Sequence, residues 1–280
     1  MEQKAKNNPE AHLEERLSTI YNELCEKAYN NNPDMDYDSM EFENVLNECQ
    51  TVWANTLLED KGFTIKDFLF NLDFGCLCTL FEYMAKGDFP VPMEILRALD
   101  SFGEQGVLYL YNHAFDMLNR KEEPGLYISI QAVKGLGRLH KSQYVGHMLT
   151  YVTGLPENED MLIESVVEGI MEMGPVGIDE MVECINGTKN INNNLEYVLQ
   201  ALAQLGKNQK STKIFDCLKS AFLRMKNKDL GALCIAEYGD IRGISVLNNF
   251  LDNNKRSLQR EVFFEILHCI KELGGRTDFF

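Results

Sequence analysis

Apolar side chains recur every three or four residues along most of the chain, which is the spacing of one buried face on an α-helix. The segment 11–30 carries this pattern and ends in an Asn–Pro run, because asparagine and proline favour turns over helix. The segment 39–59 carries it again and contains Trp53, the only tryptophan. We therefore predict that residues 1–60 form a helical hairpin cap behind a disordered start at 1–10.

From residue 61 onward, a helical pattern recurs and ends in the order apolar, small, polar, apolar, glycine, with some substitutions in the weaker copies. Leu202–Gly206 and Ile235–Gly239 are clear copies. Successive copies close 32 to 37 residues apart, which is enough for two helices and their connections. The six closing positions are Gly103, His140, Gly174, Gly206, Gly239 and Gly274.

Each copy predicts a first helix, a tight turn closed by a left-handed residue, and a second helix. One such pair cannot cover its own apolar face, so neighbouring pairs must stack into a continuous core. The sequence shows no sustained alternation of apolar and polar residues, the pattern typical of strands. We predict an all-α solenoid of about six repeats over residues 61–280, elongated, monomeric and without strands.

The copy at Ile235–Leu247 has an additional motif, with Asp240 directly after the closing glycine and Arg242 two residues later. This stretch resembles a bacterial-type HEAT repeat, and with the even spacing the resemblance covers about residues 90–275. The resemblance implies a right-handed α-α superhelix in which Asp240 caps a helix and Arg242 belongs to an inner ladder. In other copies the aspartate position is occupied by Lys141, Pro175 or Lys207. The implied ladder therefore has one rung.

In HEAT-repeat proteins the second helix of each repeat lines a concave surface on which a partner binds. The resemblance therefore implies a non-catalytic scaffold or adaptor that binds another protein there. Projecting each second helix from its turn predicts which side chains lie on this surface. They are Tyr109, His113, Gln143, His147, Glu180, Lys210, Lys213, Arg242 and Asn249.

The net charge of −16 is unevenly distributed. Residues 1–90 hold 18 acidic and 7 basic side chains, residues 91–200 hold 16 and 7, and residues 201–280 hold 9 and 13. In a solenoid, sequence order is spatial order, so this asymmetry predicts a dipole along the long axis. We expect a basic partner at the N-terminal and central repeats.

The last third of the chain contains a basic stripe from Lys207 to Lys228, with Asp216 as its one acidic residue. Lys207, Lys210 and Lys213 are three residues apart and are predicted to share one helix face. The stripe predicts binding of an acidic protein or of phosphate, and it supports nucleic-acid binding or DNA processing as the alternative function, as in HEAT-like DNA glycosylases. The acidic repeats before it oppose a continuous nucleic-acid groove.

No catalytic, metal or cofactor motif is visible in the sequence. None of the five histidines neighbours a glutamate, Cys76 and Cys78 lack the second pair of a zinc site, and no nucleophile elbow surrounds a serine. We predict that the chain is not an enzyme and holds no metal or cofactor. A third reading is a lyase or chaperone for a bound chromophore, as in some bacterial HEAT-like proteins.

The ends of the chain carry further expectations. No stretch approaches the roughly 18 apolar residues of a membrane span, and the polar first ten residues lack the apolar centre of a signal peptide. We predict a cytoplasmic protein that binds no membrane. No second helix follows Gly274, so we expect Phe279 and Phe280 to fold back onto the last hairpin or to contact a partner.

Overall fold

The structure is a computed structural model that describes residues 11–36, 39–115 and 125–277. The chain divides into two compact units, Met1–Leu139 and His140–Phe280. The predicted disordered start and the two C-terminal phenylalanines lie outside the described residues.

In its described part, unit 1 contains seven α-helices and one short β-hairpin. The helices are α1 (Ala11–Asn31), α2 (Met40–Ala54), α3 (Ile65–Leu69), α4 (Phe74–Met84), α5 (Met93–Asp100), α6 (Glu104–Phe115) and α7 (Gly125–Arg138). The strands are β1 (Leu57–Leu58) and β2 (Phe63–Thr64), which pair antiparallel.

The predicted cap hairpin is present, and α1 packs against α2. The indole Nε1 of Trp53 is fully buried and donates a hydrogen bond of 2.9 Å to the carbonyl of Leu17. The hydroxyl of Tyr21 donates to the carbonyl of Pro90, also at 2.9 Å. Buried aromatic side chains with satisfied polar atoms thus connect the cap to the chain that enters α5.

The prediction that the chain has no strand is wrong at residues 57–64. Helix α2 ends at Ala54 instead of residue 59, and the chain then forms the β-hairpin. Gly62 closes the hairpin with a φ of +76°, a backbone conformation that glycine adopts at little cost. Each strand has only two residues, which is too short for a period-two pattern to be visible in the sequence.

Unit 2 contains eight α-helices in its described part, with 3₁₀ turns at Ser142–Tyr144 and Gly174–Gly177. The helices are α8 (Val145–Gly154), α9 (Asp160–Glu172), α10 (Ile178–Gly187), α11 (Asn193–Gly206), α12 (Thr212–Arg224), α13 (Lys228–Tyr238), α14 (Arg242–Asn254) and α15 (Arg260–Glu272).

Helices of unit 2 pack in two parallel series. The first helices of successive pairs contact one another in the order α9, α11, α13 and α15, while the second helices do so in the order α8, α10 and α12. This packing is consistent with a helical solenoid, as the repeat spacing predicts.

The predicted left-handed turns are confirmed at five of the six closing positions. The φ angles range from +52° at His140 to +85° at Gly274, with Gly103, Gly174 and Gly239 between them. His140 is the one non-glycine residue with positive φ among the described residues, which fits its place in the repeat.

Gly206 is the exception, and the prediction that it closes a left-handed turn is wrong. It is the last residue of α11, and the next residue continues in right-handed helical geometry. A Cβ atom at Gly206 would lie 3.1 Å from side-chain carbons of both Ile214 and Tyr238. The glycine is therefore explained by close packing of α11 against its own second helix, α12, and against α13 of the next pair.

Polar side chains from later elements cap the C-terminal ends of three second helices. Asn194 donates two hydrogen bonds of 2.8 Å to carbonyls at the end of α8. Arg224 donates to two carbonyls at the end of α10, and Lys228 donates to two carbonyls at the end of α12, at 2.6 and 3.0 Å. These bonds satisfy backbone groups that the helix itself leaves unpaired, and cations suit this end of the helix dipole.

Candidate functional site

The predicted surface residues all lie on second helices or on the turns that lead into them. Two of them are in unit 1, on α6, and seven are in unit 2. Of the unit 2 residues, Lys210 lies in the turn before α12 and Gln143 lies in the 3₁₀ turn before α8. The remaining five lie on four helices: His147 on α8, Glu180 on α10, Lys213 on α12, and Arg242 and Asn249 on α14.

In unit 1, the local sequence fixes how α4 and α6 are placed. The Asp73 carboxylate accepts the backbone N–H of Cys76 at 3.0 Å and so caps the start of α4. Gly103 turns the chain from α5 into α6 with a φ of +62°. Gly106 then lies so close to the carbonyl of Leu99 that a Cβ atom would be 1.9 Å from its oxygen. Only glycine permits this approach of α6 to α5.

Glu82 of α4 contacts both predicted residues of α6, Tyr109 and His113. The hydroxyl of Tyr109 lies 3.0 Å from Oε1 of Glu82 and 3.1 Å from the carbonyl oxygen of Cys78. Nε2 of His113 lies 3.6 Å from the same Oε1, and the centroids of the Tyr109 and His113 rings are 4.5 Å apart. Ser129 of α7 donates a hydrogen bond of 2.8 Å to the backbone carbonyl of His113.

Burial suppresses acid–base reactivity in this cluster. Burial, followed by the nearby carboxylate of Glu82, raises the pKa of the Tyr109 hydroxyl. The same two causes raise the pKa of the Cys78 thiol to about 11. Both groups are therefore neutral near pH 7, and a protonated thiol is a poor nucleophile. Neither the Tyr109 hydroxyl nor the Cys78 thiol is therefore activated as a base or a nucleophile.

In unit 2, two predicted lysines are held by neighbouring pairs. Nζ of Lys213 lies 2.7 Å from Oδ1 of Asp179, in the first turn of α10. Nζ of Lys210 donates to the carbonyl oxygen of Gly239, at the end of α13. Lys210 and Lys207 precede α12, so the three lysines do not share one helix face as predicted.

Arg242 is the best-fixed residue of the predicted surface. Its guanidinium hydrogen-bonds both carboxylate oxygens of Asp240, at 2.7 to 3.1 Å, and stacks 4.2 Å above the ring of Phe215 in α12. Oδ1 of Asp240 also accepts the backbone N–H of Arg242, the first residue of α14, at 2.9 Å. The hydrogen bond from Arg242 lowers the pKa of Asp240.

Most of the basic stripe is engaged inside the protein. Lys207 pairs with Glu237 at 2.9 Å, and Arg224 and Lys228 cap helix ends. With Lys210 and Lys213, five of its seven cations have intramolecular partners. Lys219 and Lys226 are the two for which the described residues provide no partner. The basic sequence run is therefore not an open cationic surface of the same extent.

The remaining predicted residues are open to solvent to different degrees. Gln143, His147 and Asn249 are exposed, and Glu180 is half-buried. They lie on, or directly before, the second helices α8, α10 and α14. On these three helices, a partner on the second-helix surface of unit 2 would therefore meet exposed Gln143, His147 and Asn249 and half-buried Glu180.

Helix α9 carries an acidic face whose residues the sequence analysis did not identify. Asp160, Glu164, Glu168 and Glu172 follow one another at four-residue spacing and are all exposed. The sequence has no lysine or arginine between residues 142 and 188. Like charges at this spacing destabilise a helix by about 0.2–0.5 kcal/mol per pair. The four carboxylates form one exposed acidic face on α9.

Sequence analysis also missed the partners that orient the predicted residues. Glu82 precedes Tyr109 by 27 residues, and Asp179 precedes Lys213 by 34. Phe215 precedes Arg242 by a similar distance. These separations of 27 to 34 residues place each partner in the preceding helix pair. A search for complementary side chains 27 to 34 residues apart would have found them.

Within residues 11–36, 39–115 and 125–277, no three His, Cys, Asp or Glu side chains are grouped so as to hold a metal ion. All eight cysteines are free thiols, five of them buried. Burial raises the pKa of Cys25, Cys234 and Cys269 to about 12. None of the described helices combines the length and apolar character that crossing a bilayer requires.

The chain was also compared with known proteins. No family model, no curated protein and no solved structure gives a significant match.

Proposed function

We propose that this protein is a non-catalytic scaffold of the HEAT-like type that binds another protein on its second-helix surface. The observation that carries the proposal is the ordered stacking of first helices on first helices and second helices on second helices in unit 2. Such stacking buries the faces between pairs and leaves an extended outer face on each series. The proposal includes a right-handed superhelix, a cytoplasmic location and a monomeric chain.

Charge favours a basic partner. The carboxylates of α9 have no basic residue near them in sequence, and Glu82 presents its second oxygen beside α6. In contrast, five cations of the basic stripe are bound by the protein itself. An acidic ligand would have to compete with those contacts, which weakens the nucleic-acid alternative.

Affinity capture from the source cells, with partners quantified by mass spectrometry, tests this function. The bait is the full chain, and the variant combines three alanine substitutions on the exposed part of the predicted surface. They are Gln143→Ala, His147→Ala and Asn249→Ala. We expect a protein recovered by wild type to be reduced several-fold on the variant, because each substitution removes contact area and hydrogen bonds.

A matched control carries the same residue types on first helices of the same unit. Its substitutions are Asn193→Ala, Gln204→Ala and His268→Ala, all at exposed positions. The control is expected to retain the partner. Equal loss on both variants, or recovery of nucleic acid in place of protein, would contradict the proposed surface.

A further inference from the structure

Aromatic rings line the boundary between α4 and α6 in unit 1. The Phe74 centroid lies 5.4 Å from that of Phe102 and 5.9 Å from that of Tyr109. The His113 ring continues the row 4.5 Å beyond Tyr109. The buried ring of Phe81 supports Tyr109 from below at 5.9 Å. We call Phe74, Phe102, Tyr109 and His113 the α4–α6 aromatic surface.

These rings reach solvent to a degree that core aromatics do not. Phe102 is 38% exposed, while Phe74, Tyr109 and His113 are half-buried. By comparison, Trp53 and Phe81 in the same unit are fully buried. Adjacent aromatic side chains that remain partly exposed are typical of a surface that binds a ligand or partner.

The helices α4 and α6 carry carboxylates and no lysine or arginine. The sequence has no lysine or arginine in residues 67–85 or 98–115, which include all of α4 and α6. Glu82 is 39% exposed, and its Oε1 faces Tyr109 and His113. Its Oε2 makes no hydrogen bond or ion pair with any described residue. The Tyr109 hydroxyl thus positions the Glu82 carboxylate at the edge of the aromatic row, and Oε2 remains able to accept a hydrogen bond.

We infer that the α4–α6 aromatic surface binds an arginine-bearing segment of a partner protein, a conclusion that rests on the proposed function and names the chemistry of the partner. A guanidinium is planar and weakly hydrated, so it stacks on aromatic rings while donating hydrogen bonds at its edge. Oε2 of Glu82 accepts one such bond, and exposed Glu104 at the start of α6 adds attraction.

Charge also excludes the other occupants. A nucleic acid would bring phosphates against these carboxylates. A second copy of this chain has a net charge of −16, and five of the seven cations in its basic stripe are paired inside the protein. A purely apolar segment would remove water from the Glu82 carboxylate and would supply no hydrogen-bond donor in its place, which is costly. An arginine side chain satisfies the rings and the carboxylate together.

Fluorescence anisotropy with a labelled peptide in which arginine alternates with alanine tests the inference on the full chain at low salt. We expect saturable binding that added salt weakens. Glu82→Gln is expected to weaken binding about tenfold, because it removes a charge-assisted hydrogen bond. Phe102→Ala is expected to weaken it several-fold, and Phe102→Leu should do the same while preserving the packing on Phe74.

Three controls make the result specific. Glu43→Gln removes the same charge from an exposed position on α2 and should leave the affinity unchanged. A citrulline version of the peptide keeps the shape and loses the charge, and it should bind at least tenfold more weakly. A lysine version should also bind more weakly, because an ammonium does not stack on rings as a guanidinium does. Thermal melts verify that each variant is folded.

No saturable binding, equal weakening by Glu43→Gln, or equal affinity for the citrulline or lysine peptide would overturn the inference. Its failure differs from failure of the proposed function. If the peptide does not bind but captured protein still depends on the unit 2 variant, the scaffold stands and the chemistry of this surface is wrong. If the peptide binds as expected and capture is unaffected, the unit 2 surface is wrong instead.

Discussion

The α4–α6 aromatic surface and the basic stripe at 207–228 carry opposite charges. They differ in how many of those charges have partners inside the protein. In the basic stripe, neighbouring pairs supply carboxylates or carbonyls to five of seven cations. On α4 and α6 no cation is present in the sequence, and one oxygen of Glu82 is unused. A charge run therefore indicates a binding surface only where the fold leaves those charges without internal partners.

The largest effect is expected from Gly106→Ala, which removes the basis of the α4–α6 surface. The added Cβ atom would lie 1.9 Å from the carbonyl oxygen of Leu99 and 2.6 Å from its carbonyl carbon, and a backbone cannot yield as a side chain can. We expect a loss of about 3 kcal/mol or more in the free energy of unfolding, measured by urea denaturation.

Gly146→Ala is the control for that substitution. A Cβ atom there meets nothing within 4 Å, and Gly146 lies in α8. Alanine should stabilise this helix by about 0.5–1 kcal/mol, since it loses less backbone freedom on folding. A Gly106→Ala protein as stable as wild type would mean that α5 and α6 do not approach as closely as described.

The next largest effect tests whether the basic stripe is structural. Arg224→Met preserves the aliphatic length and removes the hydrogen bonds to carbonyls at the end of α10. We expect a loss of about 1–3 kcal/mol in unfolding free energy, because partly buried carbonyls lose a charged donor. Lys219→Met, at an exposed position of the same helix, should change stability by less than about 0.5 kcal/mol. If Arg224→Met and Lys219→Met have equally small effects, Arg224 does not stabilise the end of α10 and its guanidinium is available to bind a partner.

A smaller effect is expected at the Asp240–Arg242 pair, and it depends on pH. The guanidinium lowers the pKa of Asp240 below its ordinary 3.8, so the folded protein holds this proton less tightly than the unfolded chain. The stabilisation is therefore complete above that ordinary value and is lost as the pH falls through the lower folded pKa. Asp240→Asn should cost at most about 1 kcal/mol at neutral pH, given that Arg242 is exposed.

Thermal melts of wild type and Asp240→Asn across the acid range measure this difference. The two melting temperatures should converge as the pH falls well below 4. A difference that persists unchanged at low pH would show that Asp240 acts through a contact other than its charge.

The smallest effect is expected from the two cations without internal partners. Lys219→Glu combined with Lys226→Glu should change stability by less than about 0.5 kcal/mol per site. Gel shifts with short duplex and single-stranded DNA and RNA at low salt should show no binding that this variant loses. Tight wild-type binding that the variant abolishes would break the comparison, because two open cations would then suffice for nucleic-acid binding.

The sequence predicts the helices and most turns of this fold because both depend on local pattern. Helical spacing and a recurring glycine position predict left-handed closures at Gly103, Gly174 and Gly239, and φ confirms them. Gly206 shows the limit of this reasoning: a glycine that frees the backbone and one that makes room for Tyr238 look identical in sequence. The β-hairpin at 57–64 is missed because each strand has two residues.

The candidate site was less predictable because its geometry depends on contacts between pairs. Helical projection selects Tyr109 and Arg242 correctly as residues of second helices. It does not identify Glu82 or Phe215, which reach them from the preceding pair. Whether a charged side chain faces solvent or a helix end is decided by that neighbour, so composition alone overstates the basic surface.

The helix-end caps of unit 2 give its pairs a direction. Asn194, Arg224 and Lys228 each serve a second helix that precedes them in the chain. Shortening the unit from its N-terminal side removes a capped helix and leaves the later residue that capped it, so no remaining helix loses its cap. Shortening it from the C-terminal side leaves each newly terminal second helix with bare carbonyls. Truncation from the C-terminal end should therefore destabilise unit 2 more than truncation from the N-terminal end, because each cap comes from a later helix than the one it serves.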